Sequence, residues 1–280
     1  SPSERAYIEA LEARYSSRPE TGREERDRAY ASAMEKVWRQ WPNDADAGTL
    51  FAEALMVLQP WDFWTTEGRP KGRTMDIAAA LERVLILDPN HPGACHYYIH
   101  TVEASPYPER ALPCADRLPN LAPGAGHLVH MPGHIYLRLG RYQEAAERNV
   151  HAAAADHDLL EHRQLHGLYP VGYYPHNLHF LWSALTMEGR SREAIDAARR
   201  LMTLAPWDKA RQEPSMEEFT PTLLFALTRF GRWQEVLDLP EPPVELLYTR
   251  AIWHYARGLS LAKLGRLGQA TLELEKLGES

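Results

Sequence analysis

Histidines at helical spacing are the residues of this sequence best suited to chemistry. The stretch CHYYIHTVEA, residues 95 to 104, contains His96, His100 and Glu103. An α-helix turns by about 100° per residue, so these three side chains share one face of a helix. Neutral imidazole is the commonest side-chain ligand of transition metals, and a carboxylate completes such a site for iron, zinc or copper. The spacing therefore predicts a metal site.

Two later stretches repeat the pattern. GHLVHMPGH, residues 126 to 134, places three histidines on one helical face, and HNLH, residues 176 to 179, adds two more. A single histidine on a helix is more often a packed or surface residue than a ligand. Eleven of the thirteen histidines, however, lie between positions 96 and 179. Packed imidazoles without a metal would depress one another's pKa values, so this clustering favours metal binding.

We predict that eight side chains supply the ligands of a divalent transition metal (iron, copper or zinc): His96, His100, Glu103, His127, His130, His134, His176 and His179. The expected inner ligands are His100, His130, His134 and His179. His96, His127 and His176 are expected to be ligands, hydrogen-bond partners of ligands or substrate contacts. Glu53 offers a second carboxylate from an earlier helix. The number of ions stays open, because eight side chains exceed the needs of one four-coordinate ion.

A tyrosine-rich segment, HGLYPVGYYPHNLHF at residues 166 to 180, includes the last histidine pair. Long ordered loops are often functional, so we expect this segment to cover the site, with Tyr173 or Tyr174 offering a phenol as proton donor. Tyr174 and Glu103 are therefore the candidate catalytic residues. The alternative interpretation is a packing loop that fills a gap between helices.

Two other sets of residues have structural as well as functional interpretations. Trp61 and Trp64, in QPWDFW, are either core residues or walls of a binding groove. A further set of histidines follows residue 142 on a long predicted helix and is expected to be solvated: His151, His157, His162 and His166.

Composition limits the possible functions. The net charge of −7 argues against a nucleic-acid partner, because such proteins usually carry a basic face. No apolar run approaches the roughly 18 residues that a membrane helix needs, so we expect a soluble protein. Cys95 and Cys114 form no metal or disulfide motif and are expected to be buried. The chain opens with SPSERAYIEA, without an initiator methionine, so cytoplasmic location and export after signal removal both stay open.

A repeated element indicates how the chain positions these residues. LGRYQEAAE, EGRSREAID, FGRWQEVLD and LGRLGQATL begin at positions 139, 188, 230 and 264. Each has a Gly-Arg turn before a helix start, and glycine suits the left-handed conformation that closes a helix. Leu-x-Pro at 87–89, 121–123 and 204–206 marks further helix ends, because proline cannot continue a helix. The chain therefore consists of helical hairpins.

The predicted fold is an all-α solenoid of about seven helical hairpins in a single domain, residues 1–280. Within it we distinguish N-terminal hairpins (1–91), histidine-rich central repeats (92–206) and C-terminal repeats (207–280). The paired helices are expected at 3–16 and 22–41, 45–58 and 73–87, 92–104 and 107–119, 124–139 and 142–165, 176–188 and 191–204, 217–230 and 232–238, and 245–264 and 267–277. About fifteen extra residues are expected between 150 and 175.

These features resemble the tetratricopeptide repeat, a helix-turn-helix unit of 34 residues that stacks into a solenoid. The spacing from Pro89 to Pro123 matches that period. The resemblance implies that the first helix of each hairpin lines a concave surface, so the three histidine faces are expected to meet in one groove.

Three longer stretches are similar to a narrower group of bacterial tetratricopeptide-repeat proteins. They are HPGACHYYIHTVEAS, HLVHMPGHIYLRLGRYQEA and YYPHNLHFLWSALTMEGR. In that group the array begins with further helices upstream, so the resemblance implies that this chain is a fragment. It implies a common histidine site but names no chemistry for it.

Two functions of different classes follow. In the first, the groove holds a metal that supports an oxidative or hydrolytic reaction on a small or peptidic substrate. In the second, the protein is a non-catalytic scaffold that binds a peptide or a partner protein in the groove. The abundance of His, Glu and Tyr, rather than Lys, Arg and Asn, favours metal binding.

Overall fold

The computed structural model describes residues 1–15, 22–163, 167 and 169–279, and all regular structure in these ranges is helical apart from one isolated bridge between Trp64 and Pro70. His166 lies outside the described residues, as does part of the tyrosine-rich segment. None of the described helices combines the length and the apolar character needed to cross a bilayer.

The chain forms two compact units. The first consists of Ser1–Pro123 and His134–Leu139, and the second of Gly124–Gly133 and Gly140–Ser280.

The first eight α-helices carry most of the predicted site residues. They are α1 (Pro2–Arg14), α2 (Arg23–Gln40), α3 (Ala45–Leu58), α4 (Thr74–Leu87), α5 (Pro92–Val102), α6 (Leu112–Leu121), α7 (Gly126–His130) and α8 (Pro132–Arg138). A short 3-10 helix, Pro108–Ala111, precedes α6. In the first unit each helix from α1 to α6 packs against the next one along the chain.

The remaining helices belong to the second unit. They are α9 (Tyr142–His162), α10 (Tyr174–Met187), α11 (Ser191–Leu204), α12 (Trp207–Gln212), α13 (Thr222–Arg229), α14 (Trp233–Asp238), α15 (Leu247–Lys263) and α16 (Leu267–Glu279). A π-helical turn, Tyr169–Tyr173, leads into α10, and a 3-10 helix, Pro214–Glu218, follows α12. Helices α9, α10 and α11 pack in sequence, α13 packs on α11, and α13 to α16 continue the series.

The predicted Gly-Arg turns are confirmed. Their glycines are left-handed, with φ of 74°, 75°, 68° and 76° at Gly140, Gly189, Gly231 and Gly265. In the last three turns, the backbone N–H of the arginine after the glycine donates a hydrogen bond to the carbonyl oxygen five residues earlier. The bond from Arg232 to Leu227 is one example. This pattern satisfies carbonyl groups that the end of a helix would leave without partners.

Three predicted helices have clearly different bounds in the structure. The one expected at 107–119 begins as the 3-10 helix Pro108–Ala111, and α6 follows it to Leu121. The one expected at 124–139 is divided into α7 and α8, because Pro132 has no N–H to donate to the preceding turn. The helix expected at 217–230 begins only at Thr222, directly after Pro221. Helix α12 was not predicted; it begins directly after Pro206, and its six residues are too short for a periodic signal.

Candidate metal centre

Helix α5 is oriented by its apolar face. Cys95, Ile99 and Val102 are 0% exposed, and they pack that face into the first unit. The neighbouring face carries His96, which is half-buried, and His100, which is 6% exposed. The apolar face of α5 thus lies in the core of the first unit, and the adjacent histidine face lies at the edge of that core.

One buried carboxylate joins two imidazoles in the first unit. Glu103, the residue that ends α5, has one oxygen 2.8 Å from Nδ1 of His100 and the other 2.5 Å from Nδ1 of His134 on α8. The two imidazole centroids are 4.9 Å apart and their planes are nearly perpendicular, at 79°. These three residues, named here the Glu103 triad, offer ligand atoms that lie within 4.8 Å of one another.

The charge state of the triad follows from its hydrogen bonds. Burial alone would raise the pKa of Glu103, but the imidazoles of His134 and His100 outweigh burial and hold that pKa well below its ordinary value. An ionised carboxylate only accepts hydrogen bonds, so Nδ1–H of each imidazole donates a hydrogen bond to it. Burial lowers the pKa of His100 against the opposing effect of Glu103, which keeps this imidazole neutral.

The hydrogen bonds to Glu103 therefore select the ligand atoms. A neutral imidazole that donates from Nδ1 has its lone pair on Nε2. Metal-binding histidines in proteins commonly donate their other N–H to a carboxylate, which fixes the tautomer and the ring orientation. In the geometry of the triad, Nε2 of His100 and of His134 are the atoms suited to hold a metal, and Glu103 orients both rings.

Two further rings lie against His100. The imidazole of His96 is 4.9 Å away, centroid to centroid, and the indole of Trp61 is also 4.9 Å away, edge to face at 86°. Trp64, by contrast, is half-buried and donates its indole N–H to the carbonyl oxygen of Thr101, 2.7 Å away. The two tryptophans of QPWDFW thus have different environments.

Trp61 has an unusual backbone conformation. Its φ is 62°, and it is the one described residue other than glycine with a positive φ. This conformation costs a bulky residue about 1–2 kcal/mol, and the aromatic contact with His100 returns about 0.5–1.5 kcal/mol. Because the side chain is 74% exposed, burial adds little to this balance.

Glu53, which the sequence offered as a second carboxylate for the metal site, is paired with an arginine. Its carboxylate forms an ion pair with Arg14, at 3.3 Å, and the guanidinium of Arg14 also lies over the ring of Tyr30. The pair links α1 to α3 within the first unit, so the contacts of Glu53 are structural.

The second unit contains its own group of imidazoles. His130 on α7 is fully buried, and its Nδ1 lies 2.7 Å from Oδ1 of Asn149 on α9. Asn149 donates its amide N–H to the carbonyl oxygen of Ala145, which fixes the amide so that Oδ1 accepts from His130. Nε2 is again the imidazole atom with a lone pair. The rings of His176 and Phe180 lie 4.8 and 4.6 Å from that of His130.

A buried carboxylate also supports this group. Asp156 on α9 is 0% exposed and accepts hydrogen bonds from the hydroxyl of Tyr169 and the amide of Asn177, both at 2.6 Å. Burial raises its pKa against the lowering effect of these two donors. The bonds attach the π-helical turn and α10 to α9. The same turn carries Tyr173, whose ring is 4.5 Å from that of His127.

The structure separates the two candidate tyrosines. Tyr173 is exposed beside His127, whereas Tyr174 begins α10 and is only 5% exposed. A catalytic role for Tyr174 stays a prediction, and the contact with an imidazole belongs to Tyr173.

His179 has an aromatic environment. Its ring stacks on Trp182 with centroids 5.1 Å apart and planes within 5°, and it meets Phe219 edge to face at 5.6 Å. Burial lowers the pKa of His179 to about 4. The contacts of His179 are therefore aromatic, and its expected place as an inner ligand stays a prediction. The exposed positions of His151, His157 and His162 agree with the prediction for that set.

Sequence reasoning missed the polar residues of α9. Asn149 and Asp156 are seven residues apart on the buried face of that helix, among alanines that include Ala145, Ala152 and Ala153. Polar side chains on an otherwise small apolar face must find buried partners, and this is the signal that would have identified them.

Comparison of the chain with protein-family models gives no match, and a search of curated proteins gives none either.

Proposed function

We propose that this chain is a tetratricopeptide-like helical-repeat protein that binds a transition metal through His100 and His134. The observation that carries the proposal is the Glu103 triad, in which one buried carboxylate accepts hydrogen bonds from Nδ1 of two imidazoles. That arrangement fixes the orientation of each ring and places the lone pair of a neutral imidazole on Nε2, and it is the usual support for histidines that ligate metals.

A comparison within the chain shows why the triad differs from a structural pair. His254 on α15 also donates from Nδ1 to a buried carboxylate, that of Glu273 on α16, at 2.7 Å. There the other oxygen of Glu273 accepts a hydrogen bond from Arg257, so the carboxylate is shared between one imidazole and one guanidinium cation. In the triad the second donor is another imidazole, and a third, His96, lies against the first. Imidazoles clustered in this way favour a shared cation.

The donor set limits the class of metal. Imidazole nitrogens suit zinc, copper and iron, whereas magnesium and calcium prefer oxygen ligands. Two imidazoles leave coordination positions for water or substrate, and a metal held in this way supplies Lewis-acid or redox chemistry. We therefore propose an oxidative or hydrolytic activity on a small or peptidic substrate. The chain's own contribution is to fix two imidazoles through hydrogen bonds from their Nδ1–H groups to Glu103.

The group in the second unit is proposed to contribute in the same way. Asn149 fixes His130 with Nε2 as its ligand atom, and the imidazole of His176 lies 4.8 Å from that of His130. Together with His127 these residues remain candidate ligands. That all the histidines line one groove stays a prediction.

The experiment is elemental analysis of tag-free protein by plasma mass spectrometry, before and after anaerobic incubation with iron(II), copper(I) or zinc and gel filtration. We expect near-stoichiometric metal in the wild type, and loss of most of it in His100→Ala and in His134→Ala. The matched control is His254→Ala, which removes an imidazole with a similar buried Glu partner and should leave the metal content unchanged.

The possible results separate the two classes of function. A second equivalent of metal that disappears in His130→Ala would assign a separate ion to the second unit. Wild-type protein that retains no metal under any of these conditions would refute the proposal, and the scaffold that binds a peptide or partner protein would replace it.

A further inference from the structure

In the loop before α4, side-chain contacts anchor the chain on both sides of Trp61. The side chain of Gln59 donates to the hydroxyl of Thr74 and accepts from the backbone N–H of Arg73, each at 2.9 Å. After Trp61, Phe63 is 4% exposed, and the indole of Trp64 is bound to the carbonyl of Thr101. Because both neighbouring segments are anchored, Trp61 is presented by a rigid support.

Stability does not explain a tryptophan at this position. The residue has a positive φ, which glycine or asparagine adopts more readily, and its side chain is largely exposed. Its contact with His100 does no more than offset the backbone strain. Strained residues that the surrounding structure holds in place are found preferentially at binding and active sites.

We propose that Trp61 forms an aromatic subsite, in which the indole stacks on a planar aromatic group of a ligand whose polar end approaches His100. A rigid indole offers a large contact area at small conformational cost. The subsite goes beyond the proposed metal binding and assigns the substrate a chemical class: an aromatic small molecule or a peptide with an aromatic side chain.

The charges nearby favour an aromatic group over a cation. The carboxylate of Asp62, next to Trp61, forms an ion pair with Lys71. Since Lys71 balances the charge of Asp62, this neighbouring carboxylate offers no net charge to draw a guanidinium or ammonium group onto the indole.

The test uses Trp61→Asn in the full chain, because asparagine tolerates positive φ. The probes are N-acetylphenylalaninamide, its cyclohexylalanine analogue and N-acetylargininamide, and their binding is measured by ligand-observed NMR titration. We expect the aromatic probe to bind the wild type about two- to tenfold more tightly than the cyclohexyl analogue. Trp61→Asn should lose at least tenfold in affinity for the aromatic probe, with a Tm equal to or above that of the wild type.

Each other outcome overturns the inference. Equal affinity in Trp61→Asn, or no binding to the wild type, would remove the subsite. Preference for the arginine probe would change the ligand class to a cation, and a marked fall in Tm would make Trp61 a structural residue. The titrations are run on metal-free protein and repeated after metal loading. Failure of the metal proposal is thereby recognised separately, since stacking on Trp61 needs no metal.

Discussion

Replacement of Glu103 by glutamine tests the chemical logic of the triad. The carboxylate accepts one hydrogen bond on each oxygen, from His100 and from His134. A glutamine side chain has one acceptor oxygen and one donor NH2, so only one imidazole can continue to donate from Nδ1. The other must move its proton to Nε2, which removes the lone pair that a metal would use.

The expected magnitudes follow from the lost contact. A hydrogen bond to a charged group contributes about 1.5–3 kcal/mol, so Glu103→Gln should lower the free energy of unfolding of the metal-free protein by about that amount. Loss of a carboxylate that orients a metal-binding histidine typically lowers metal affinity about 10- to 100-fold. Urea denaturation measures the first effect, and competition with a chromophoric chelator measures the second.

The matched control is Glu273→Gln. That carboxylate accepts from His254 and Arg257 in a comparable way, so the variant should lose similar stability while its metal affinity stays at the wild-type value. Wild-type metal affinity in Glu103→Gln would refute the assignment of Nε2 as the ligand atom. An equal loss of affinity in both variants would mean that the effect reflects general destabilisation.

Three further predictions concern packing, pH and turn geometry. A Cβ on Gly126 would lie 2.0 Å from Oδ1 of the buried Asp156, so Gly126→Ala should lose about 1–3 kcal/mol in urea denaturation. Gly124→Ala, with no atom within 4 Å of its new Cβ, is the control and should be neutral; equal values would contradict the predicted clash. Burial lowers the pKa of His179 to about 4 from an ordinary value near 6.5, so folding disfavours its protonation. The free energy of unfolding is then at its full value above about pH 6.5 and falls toward pH 4, by up to roughly 3 kcal/mol. In urea denaturation between pH 7 and 5, His179→Phe should show a weaker dependence of this free energy on pH. An unchanged dependence would contradict the burial argument. Gly189 has φ of 75°, so Gly189→Ala should cost about 1 kcal/mol by thermal unfolding and Gly189→Asn less, and the reverse order would contradict the strain argument.

Much of the local structure could be predicted from the sequence. The Gly-Arg turns, the helix ends at Leu-x-Pro and the bounds of α3, α4 and α11 agree closely with expectation. These features depend on backbone dihedral preferences and on apolar periodicity, both of which are properties of a few neighbouring residues. The placement of His96, His100 and Glu103 on one side of α5 is also a local property, because the repeat of 3.6 residues per turn determines which side chains share a face.

The division at Pro132 shows the limit of that local reasoning. The sequence around His130 and His134 has helical periodicity, yet the helix ends between them and the two residues lie in different compact units. A periodic pattern reports which residues would share a face of an unbroken helix, and it does not report whether the chain continues straight.

Some contacts of the buried histidines are made by residues far away in the chain. Glu103 meets His134 across 31 positions and Asn149 meets His130 across 19, and these partners select the protonated nitrogen of each ring. His179 has the same spacing to a neighbouring histidine as other members of the pattern, but Trp182 and Phe219 surround it. Sequence periodicity therefore determined which residues are brought to the helix surfaces, and only tertiary structure decided their hydrogen-bond partners, tautomers and burial. The physical reason is that dihedral preferences act between neighbours, whereas burial and hydrogen bonding depend on whatever the fold packs against each side chain.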